Sequence, residues 1–248
     1  MNSRKESTLK PFILALTFLT RLYIPNHYEM NDQDFAGSIS FYPIIGLIIG
    51  GILSAIRWGV LYMTPEMDIL ALVLIIGYVF LSGGLHLDGL ADSFDGLFSG
   101  RDKARIFEIM QDSRIGSFGV IGLILYFAFL LITFQHVDWT IILLFPLVGR
   151  GSVLLAAGSS NYAKEKGMGK LIVDAAGPKH IIYAIVLTIA VGALLDIKSI
   201  IPICITYVLV LIMTQVIRKK LSGITGDIMG MTVEVSQCIF LLLATLLQ

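Results

Sequence analysis

Long apolar segments separated by short polar connections make up most of this chain. From residue 41 onward the segments reach about 20 residues, the length at which a helix crosses the hydrocarbon layer of a bilayer. The pattern predicts seven transmembrane helices in an all-α polytopic bundle, with residues 1–248 forming a single membrane-embedded domain. The predicted spans cover residues 41–62, 68–86, 118–136, 139–158, 181–196, 200–217 and 231–247.

A shorter apolar run, from Pro11 to Thr20, precedes these spans and follows a basic N-terminus. Its apolar core of about 10 residues is too short to cross a bilayer upright. No small-residue cleavage site of a signal peptide follows it. We interpret it as a short interfacial or re-entrant helix, with a full span as the alternative.

Composition supports a membrane protein. Hydrophobic residues make up 56% of the chain and charged residues 15%, with a mean hydropathy of +0.85. A soluble domain of this size would have too few polar side chains to cover its surface. We therefore expect an integral membrane protein, with the lipid bilayer among its partners and no nucleic acid.

The charge is distributed unevenly along the chain, although 18 basic and 18 acidic residues give a formal net charge of zero. Alternating the connections between two sides places nearly all loop lysines and arginines on one side and only Lys198 on the other. Basic loops favour the cytoplasm. The sequence therefore predicts a protein of the cytoplasmic (inner) membrane of a prokaryote, with its charged, glycine-containing loops facing the cytoplasm.

Three aspartates stand out in the segment SGGLHLDGLADSFDG of residues 82–96. Asp88, Asp92 and Asp95 are spaced i, i+4 and i+7. At ~100° per residue they fall within an arc of roughly 60° on one helical face. Carboxylate oxygens are the ligands that Mg²⁺ prefers, so we predict that these three residues share a divalent cation.

Arginines follow the aspartates closely. Arg101, Arg105 and Arg114 have the planar, forked donors that bind the non-bridging oxygens of a pyrophosphate. The alternative is that they are cytoplasmic-side residues beside lipid head groups. Arg150 lies within a predicted span, so it should face the bundle interior and pair with a carboxylate or a substrate phosphate.

A second acidic pair, Asp227 and Glu234, is also seven residues apart at the start of the last predicted span. Two opposed acidic clusters in a helical bundle could hold one or two metals, or could divide metal binding and general-base catalysis between them. For Asp227 the alternative is a partner of the helix dipole. His86 is either a hydrogen-bonded core histidine or a substrate contact. Lys170 ends a polar loop that is either a movable cover over a large substrate or a solvated connection.

Glycines recur at helical spacing in two places. Those at 46, 50 and 51 predict close helix packing. Those at 116, 119 and 122 either pack in the same way or let the backbone approach a phosphate.

Several of these segments together resemble the signature blocks of the cobalamin synthase family, the adenosylcobinamide-GDP ribazoletransferases. The matching blocks are residues 86–96, residues 111–119, the GMG loop at 167–169 and residues 225–227, with a similar N-terminal block at 12–25. The resemblance covers nearly the whole chain, and the combination of blocks is more specific than the aspartate spacing.

The resemblance implies a Mg²⁺-dependent enzyme of vitamin B12 nucleotide-loop assembly. A hydroxyl of α-ribazole, or of its 5′-phosphate, would attack the cobinamide-side phosphorus of adenosylcobinamide-GDP and release GMP. As hypotheses, Asp88, Asp92 and Asp95 coordinate Mg²⁺, with Asp92 essential for turnover, and the three arginines neutralise the GMP leaving group. Asp227 or Glu234 would complete the metal site or accept the ribazole proton. Self-association and association with other cobalamin-assembly enzymes are left open.

Two other classes remain as alternatives. A CDP-alcohol phosphotransferase also uses membrane-embedded aspartates and Mg²⁺, but its motif opens D-G-x-x-A-R, and the segment Asp88-Gly-Leu-Ala-Asp92 departs from that pattern. A transporter would show paired broken helices and charges near the bilayer midplane. Most of the charge in this chain gathers at one surface instead.

Overall fold

The protein is a bundle of helices. The structure, a computed structural model, describes residues 2–25, 29 and 31–247 of the chain. Its helices are α1 (Asn2–Leu19), α2 (Asp32–Ser38), α3 (Tyr42–Met63), α4 (Met67–Ser82), α5 (Leu85–Phe98), α6 (Lys103–Gln111), α7 (Ser117–Thr133), α8 (Trp139–Gly158), α9 (Met168–Ala175), α10 (Pro178–Leu195), α11 (Ile200–Leu221) and α12 (Gly226–Leu246). The predicted all-α class is confirmed.

The predicted spans are all helical, but not all are long enough to cross a bilayer. Within the described ranges, five helices are long and apolar enough to do so, or six if α4 and α5 form one bent span. The predicted span at 118–136 corresponds to α7, a shorter apolar helix of 17 residues. The N-terminal apolar run also forms a short helical stretch, Leu9–Leu19, as predicted. A polytopic helical membrane protein follows, with five or six candidate spans rather than seven.

Helix α8 lies at the centre of the bundle and contacts α3, α10, α11 and α12. Glycines let α3 approach it closely. A Cβ added at Gly46 would come within 2.5 Å of the Pro146 carbonyl oxygen, and one at Gly50 would collide with Leu143. The packing prediction is confirmed for these two residues and is wrong for Gly51, which faces open space.

The predicted span at 68–86 is broken. Helix α4 ends at Ser82 because Gly83 and Gly84 adopt left-handed φ angles of 67° and 76°, which only glycine takes up readily. The axes of α4 and α5 differ by 93°. Helix α5 therefore leaves the line of α4 and packs against α12 and α7. This turn carries the aspartate motif to the end of the bundle where the functional residues collect.

Candidate active site

Helices α5 and α12 cross at a pair of glycines. A Cβ at Gly89 would lie 2.8 Å from the backbone oxygen of Asp227, and one at Gly230 would lie 3.3 Å from the Cα atoms of Gly89 and His86. Side chains larger than hydrogen would hold the two helices apart. The close crossing places the aspartates of α5 beside the first turn of α12.

Three carboxylates meet at this crossing. Asp88, Asp92 and Asp227 lie near enough to repel one another electrostatically. Lys164 attracts both Asp92 and Asp227, and its Nζ lies 3.9 Å from Asp227 Oδ2. We call these four residues the aspartate cluster. Its negative charges outnumber the nearby lysine, and hard oxygen donors in excess suit a divalent cation such as Mg²⁺. As the side chains stand, no three metal-ligating residues in the described part of the chain converge on one point, so the aspartates would have to close around an ion.

Backbone hydrogen bonds between two loop segments fix the position of the chain next to Lys164. The amide of Ala163 donates to the carbonyl of Ile224 (2.9 Å), and the amide of Ile224 donates to the carbonyl of Asn161 (2.9 Å). These bonds hold the segment before Lys164 against the segment before Asp227. Sequence reasoning assigned Lys164 no role, because nothing distinguishes it from the other lysines of its loop.

Asp95 belongs to a different arrangement from the one predicted. Its Oδ2 accepts a hydrogen bond from the amide of Gly116 (2.7 Å) and its Oδ1 one from the amide of Gly119 (2.9 Å). The carboxylate thus binds the N-terminus of α7, where free amides and the helix dipole favour negative charge. The glycine amides that were candidates for a substrate phosphate bind a carboxylate of the same chain. Asp227 joins Asp88 and Asp92 in the aspartate cluster, whereas Asp95, which also repels Asp92, has both carboxylate oxygens bound by α7.

Glu234 is separated from the aspartates. Seven residues of helix place it about 10 Å beyond Asp227 along the axis of α12, fully buried. Its carboxylate accepts hydrogen bonds from the hydroxyls of Tyr78 (2.9 Å) and Tyr126. Of the two acids of α12, Asp227 therefore lies beside the aspartates of α5 and Glu234 does not.

Arg150 faces the bundle interior, as predicted, and lies beside Glu234. Its Nη1 donates to Tyr78 Oη at 3.1 Å. With the Gln237 amide oriented to satisfy its neighbours, its oxygen accepts from Arg150 Nη1 (2.7 Å) and its nitrogen donates to Glu234 Oε2 (3.0 Å). We call Glu234, Arg150, Tyr78, Tyr126 and Gln237 the buried cluster. It joins α4, α7, α8 and α12 through hydrogen bonds in the apolar interior.

The remaining predicted cations lie in exposed segments. Arg101 is exposed, and Arg105 pairs with Glu108 at 2.5 Å. Arg114 donates two hydrogen bonds to Asp112, at 3.0 and 2.7 Å. Hydrogen bonds from the Arg114 side chain and backbone lower the pKa of Asp112 to about 2.

Lys170 is also engaged locally, with Asp174 at 2.8 Å. The structure therefore leaves these four cations near the surface, and those with recorded partners pair with acids of their own segments.

A cavity of about 150 Å³ opens beside Asp88 and Asp227. Its walls come from α1, α3, α5, α8, α9 and α12. His86 lines it and is 6% exposed, and among the described residues its Nδ1 has no hydrogen-bond partner. Met168, Gly169 and Ile172 line the cavity from α9.

The whole chain resembles a characterised family. Residues 11–245 match the family described as cobalamin-5-phosphate synthase. The chain is similar to proteins named adenosylcobinamide-GDP ribazoletransferase from three bacteria. Identity is 37% with that of Alkaliphilus oremlandii (97% of this chain, 98% of the relative), 35% with that of Acetivibrio thermocellus (95% and 97%) and 36% with that of Clostridium acetobutylicum (93% and 93%). No solved structure matches.

Proposed function

Because the chain belongs to the cobalamin-5-phosphate synthase family, we propose that it is an adenosylcobinamide-GDP ribazoletransferase. A hydroxyl oxygen of α-ribazole, or of its 5′-phosphate, bonds to the cobinamide-side phosphorus of adenosylcobinamide-GDP. The bond from that phosphorus to the bridging oxygen breaks, and GMP leaves. The products are GMP and adenosylcobalamin or its 5′-phosphate.

The aspartate cluster is the observation that supports this reaction best. A pyrophosphate is negatively charged, and Asp88, Asp92 and Asp227 would repel it unless a cation lay between them. Mg²⁺ held by Asp88 and Asp92 would neutralise the phosphate oxygens, and charge stabilisation with positioning supplies most of the acceleration in phosphoryl transfer. Lys164 adds a fixed positive charge at the same place.

The acceptor hydroxyl must lose a proton as it attacks. Asp227 is suited to receive it, because its carboxylate lies at the mouth of the cavity and its environment leaves it accessible to a substrate. Glu234 is not, since its oxygens accept hydrogen bonds inside the bundle.

The three arginines remain candidates for binding the leaving group. Arg105 and Arg114 would exchange Glu108 and Asp112 for the phosphate of GMP. Such an exchange should cost little free energy, because solvent-exposed ion pairs contribute little to stability.

The site is proposed to face the cytoplasm. Its residues come from the segments 83–116, 159–177 and 218–227, which together carry ten of the 18 lysines and arginines of the chain. Basic connections favour that side of a cytoplasmic membrane.

A GMP-release assay tests the proposal. Purified protein in lipid nanodiscs, given adenosylcobinamide-GDP, α-ribazole and Mg²⁺, should release GMP and form adenosylcobalamin in equal amounts. Chelation with EDTA should stop the reaction, and excess Mg²⁺ should restore it. Absence of GMP release would overturn the activity. GMP release that persists in EDTA would overturn only the proposed dependence on Mg²⁺.

A further inference from the structure

The cavity beside the aspartate cluster has walls that are mainly apolar. Its lining includes Phe18, Leu19, Tyr42, Val153, Ile172 and Met229. These side chains come from α1, α3, α8, α9 and α12, and α5 completes the wall, so six helices converge on one small space. Apolar walls with a few polar groups at one end are typical of small-molecule sites.

Its size decides which part of the substrates could enter. A cavity of about 150 Å³ has the volume that accommodates a single aromatic ring, and this one opens toward Asp88 and Asp227. Part of a fused two-ring base could therefore sit inside with the remainder at the mouth. The corrin macrocycle is far too large to enter.

Two buried polar atoms that lack a hydrogen-bond partner within the described ranges lie among these walls, Nδ1 of His86 and the hydroxyl of Tyr42. His86 is buried and lines the cavity, and within the described ranges its Nδ1 lacks a hydrogen-bond partner. Buried polar atoms in folded proteins are almost always paired. The unpaired ring nitrogen of His86 and the hydroxyl of Tyr42 indicate a ligand that brings a polar group into an otherwise apolar space.

We propose that this cavity, which we name the base pocket, binds the flat aromatic base of the ribazole acceptor. The inference rests on the proposed function. With the base inside, the attached ribose lies at the mouth, where its hydroxyls reach the aspartate cluster. The base has largely C–H edges that suit the apolar walls, and a ring nitrogen that can pair with His86.

The guanine of the donor suits the pocket less well. Guanine carries hydrogen-bonding groups on most of its edges, and these would be left unpaired against leucine, valine, isoleucine and methionine side chains. The walls therefore favour the less polar base.

Substitution of Val153 tests the base pocket. Val153 is 3% exposed and lines the cavity from α8. Val153→Phe should occupy the space and weaken α-ribazole binding at least tenfold, measured by equilibrium dialysis with nanodisc-embedded protein in the absence of the corrinoid. The KM for α-ribazole should rise in parallel, while the KM for adenosylcobinamide-GDP stays within twofold. Val186→Phe, at a position 59% exposed on α10, is the matched control and should change neither quantity.

A second variant keeps the test decisive if Val153→Phe does not fold, as judged by size-exclusion chromatography. Val153→Ala enlarges the base pocket and should shift the KM preference at least threefold toward a ribonucleoside with a bulkier flat base. An unchanged preference would overturn the proposal. So would a folded Val153→Phe protein that binds α-ribazole normally, or one that loses GMP affinity instead.

The result also separates this inference from the proposed function. If the reaction itself is misassigned, wild-type protein neither releases GMP nor binds α-ribazole. If only the base pocket is misassigned, wild-type protein releases GMP and binds α-ribazole, and the Val153→Phe protein does the same.

Discussion

Helix α12 contributes an acidic residue to each of two clusters, and the surroundings of these two carboxylates differ. Asp227, in its first turn, joins Asp88 and Asp92, and their mutual repulsion is opposed by Lys164 and by a hydrogen bond from the Thr225 hydroxyl to Asp227 Oδ2 (3.2 Å). Glu234, two turns further on, accepts hydrogen bonds from two tyrosines and lies beside Arg150. The aspartate cluster carries excess negative charge, whereas the one carboxylate of the buried cluster, Glu234, is fully hydrogen-bonded.

The difference indicates that the two clusters have different roles. Carboxylates that repel one another destabilise the folded chain, so their proximity needs a functional reason such as a cation or a substrate. A carboxylate surrounded by donors needs no further reason, because burial is tolerable only when the group is fully paired. We infer that the aspartate cluster serves chemistry and the buried cluster holds four helices together.

Removing the carboxylate of the buried cluster should have the largest effect on stability. Glu234→Ala leaves Arg150 buried without a compensating charge and leaves two tyrosine hydroxyls without their acceptor. Breaking a buried ionic network in this way costs about 3–5 kcal/mol. We expect a much lower unfolding temperature in detergent, measured by the loss of monodisperse protein on heating.

Glu234→Gln is the control, since it keeps the shape and one acceptor oxygen, and it should lose less stability than Glu234→Ala. If Glu234→Ala unfolds at the wild-type temperature but is inactive, the buried cluster serves the reaction rather than the fold.

Neutralising one carboxylate of the aspartate cluster should lower turnover without lowering stability. Asp92→Asn removes one charge that Asp88 and Asp227 repel, so the unfolding temperature should stay the same or rise. Turnover should fall by about 10²–10³-fold, the usual loss when an electrostatic group is removed from an active site. On the same preparation, GMP release measures the loss of turnover, and thermal unfolding measures whether stability is retained.

Asp68→Asn changes an exposed carboxylate at the start of α4 and should leave GMP release within twofold of wild type. Full activity in Asp92→Asn would remove this residue from the proposed metal site.

Much of the fold was predictable because a bilayer leaves the backbone few options. A long apolar segment in lipid must satisfy its own amides and carbonyls, and a helix does so. The break at Gly83 and Gly84 had a sequence signal, a glycine pair inside an apolar run, which the hydropathy pattern alone passed over. The pairing of Asp88 with Asp92 followed from their spacing.

The site was only partly predictable from the sequence. The spacing of residues gives the helix face on which each side chain lies, but it does not show which parts of other helices or loops lie next to that side chain. Asp227 and Glu234 share a face but lie about 10 Å apart along the axis. Asp95 shares a face with Asp88 and Asp92, yet the N-terminus of α7 approaches it and takes both of its oxygens. Lys164 is placed by backbone pairing between distant loops, which no local pattern reveals.

The crossing of α5 and α12 can be disturbed without changing any charge, which separates geometry from electrostatics. Gly89→Ala would place a methyl group 2.8 Å from the Asp227 backbone oxygen. Such overpacking costs about 1–3 kcal/mol. It should also move Asp88 and Asp92 relative to Asp227, and a displacement of about 1 Å can lower turnover by up to ~10²-fold. Gly51→Ala, whose methyl group would enter open space on α3, should retain wild-type GMP release and stability. If Gly89→Ala loses stability but keeps full turnover, the close crossing serves packing alone, and Asp227 need not lie beside the aspartates of α5 for the reaction to proceed.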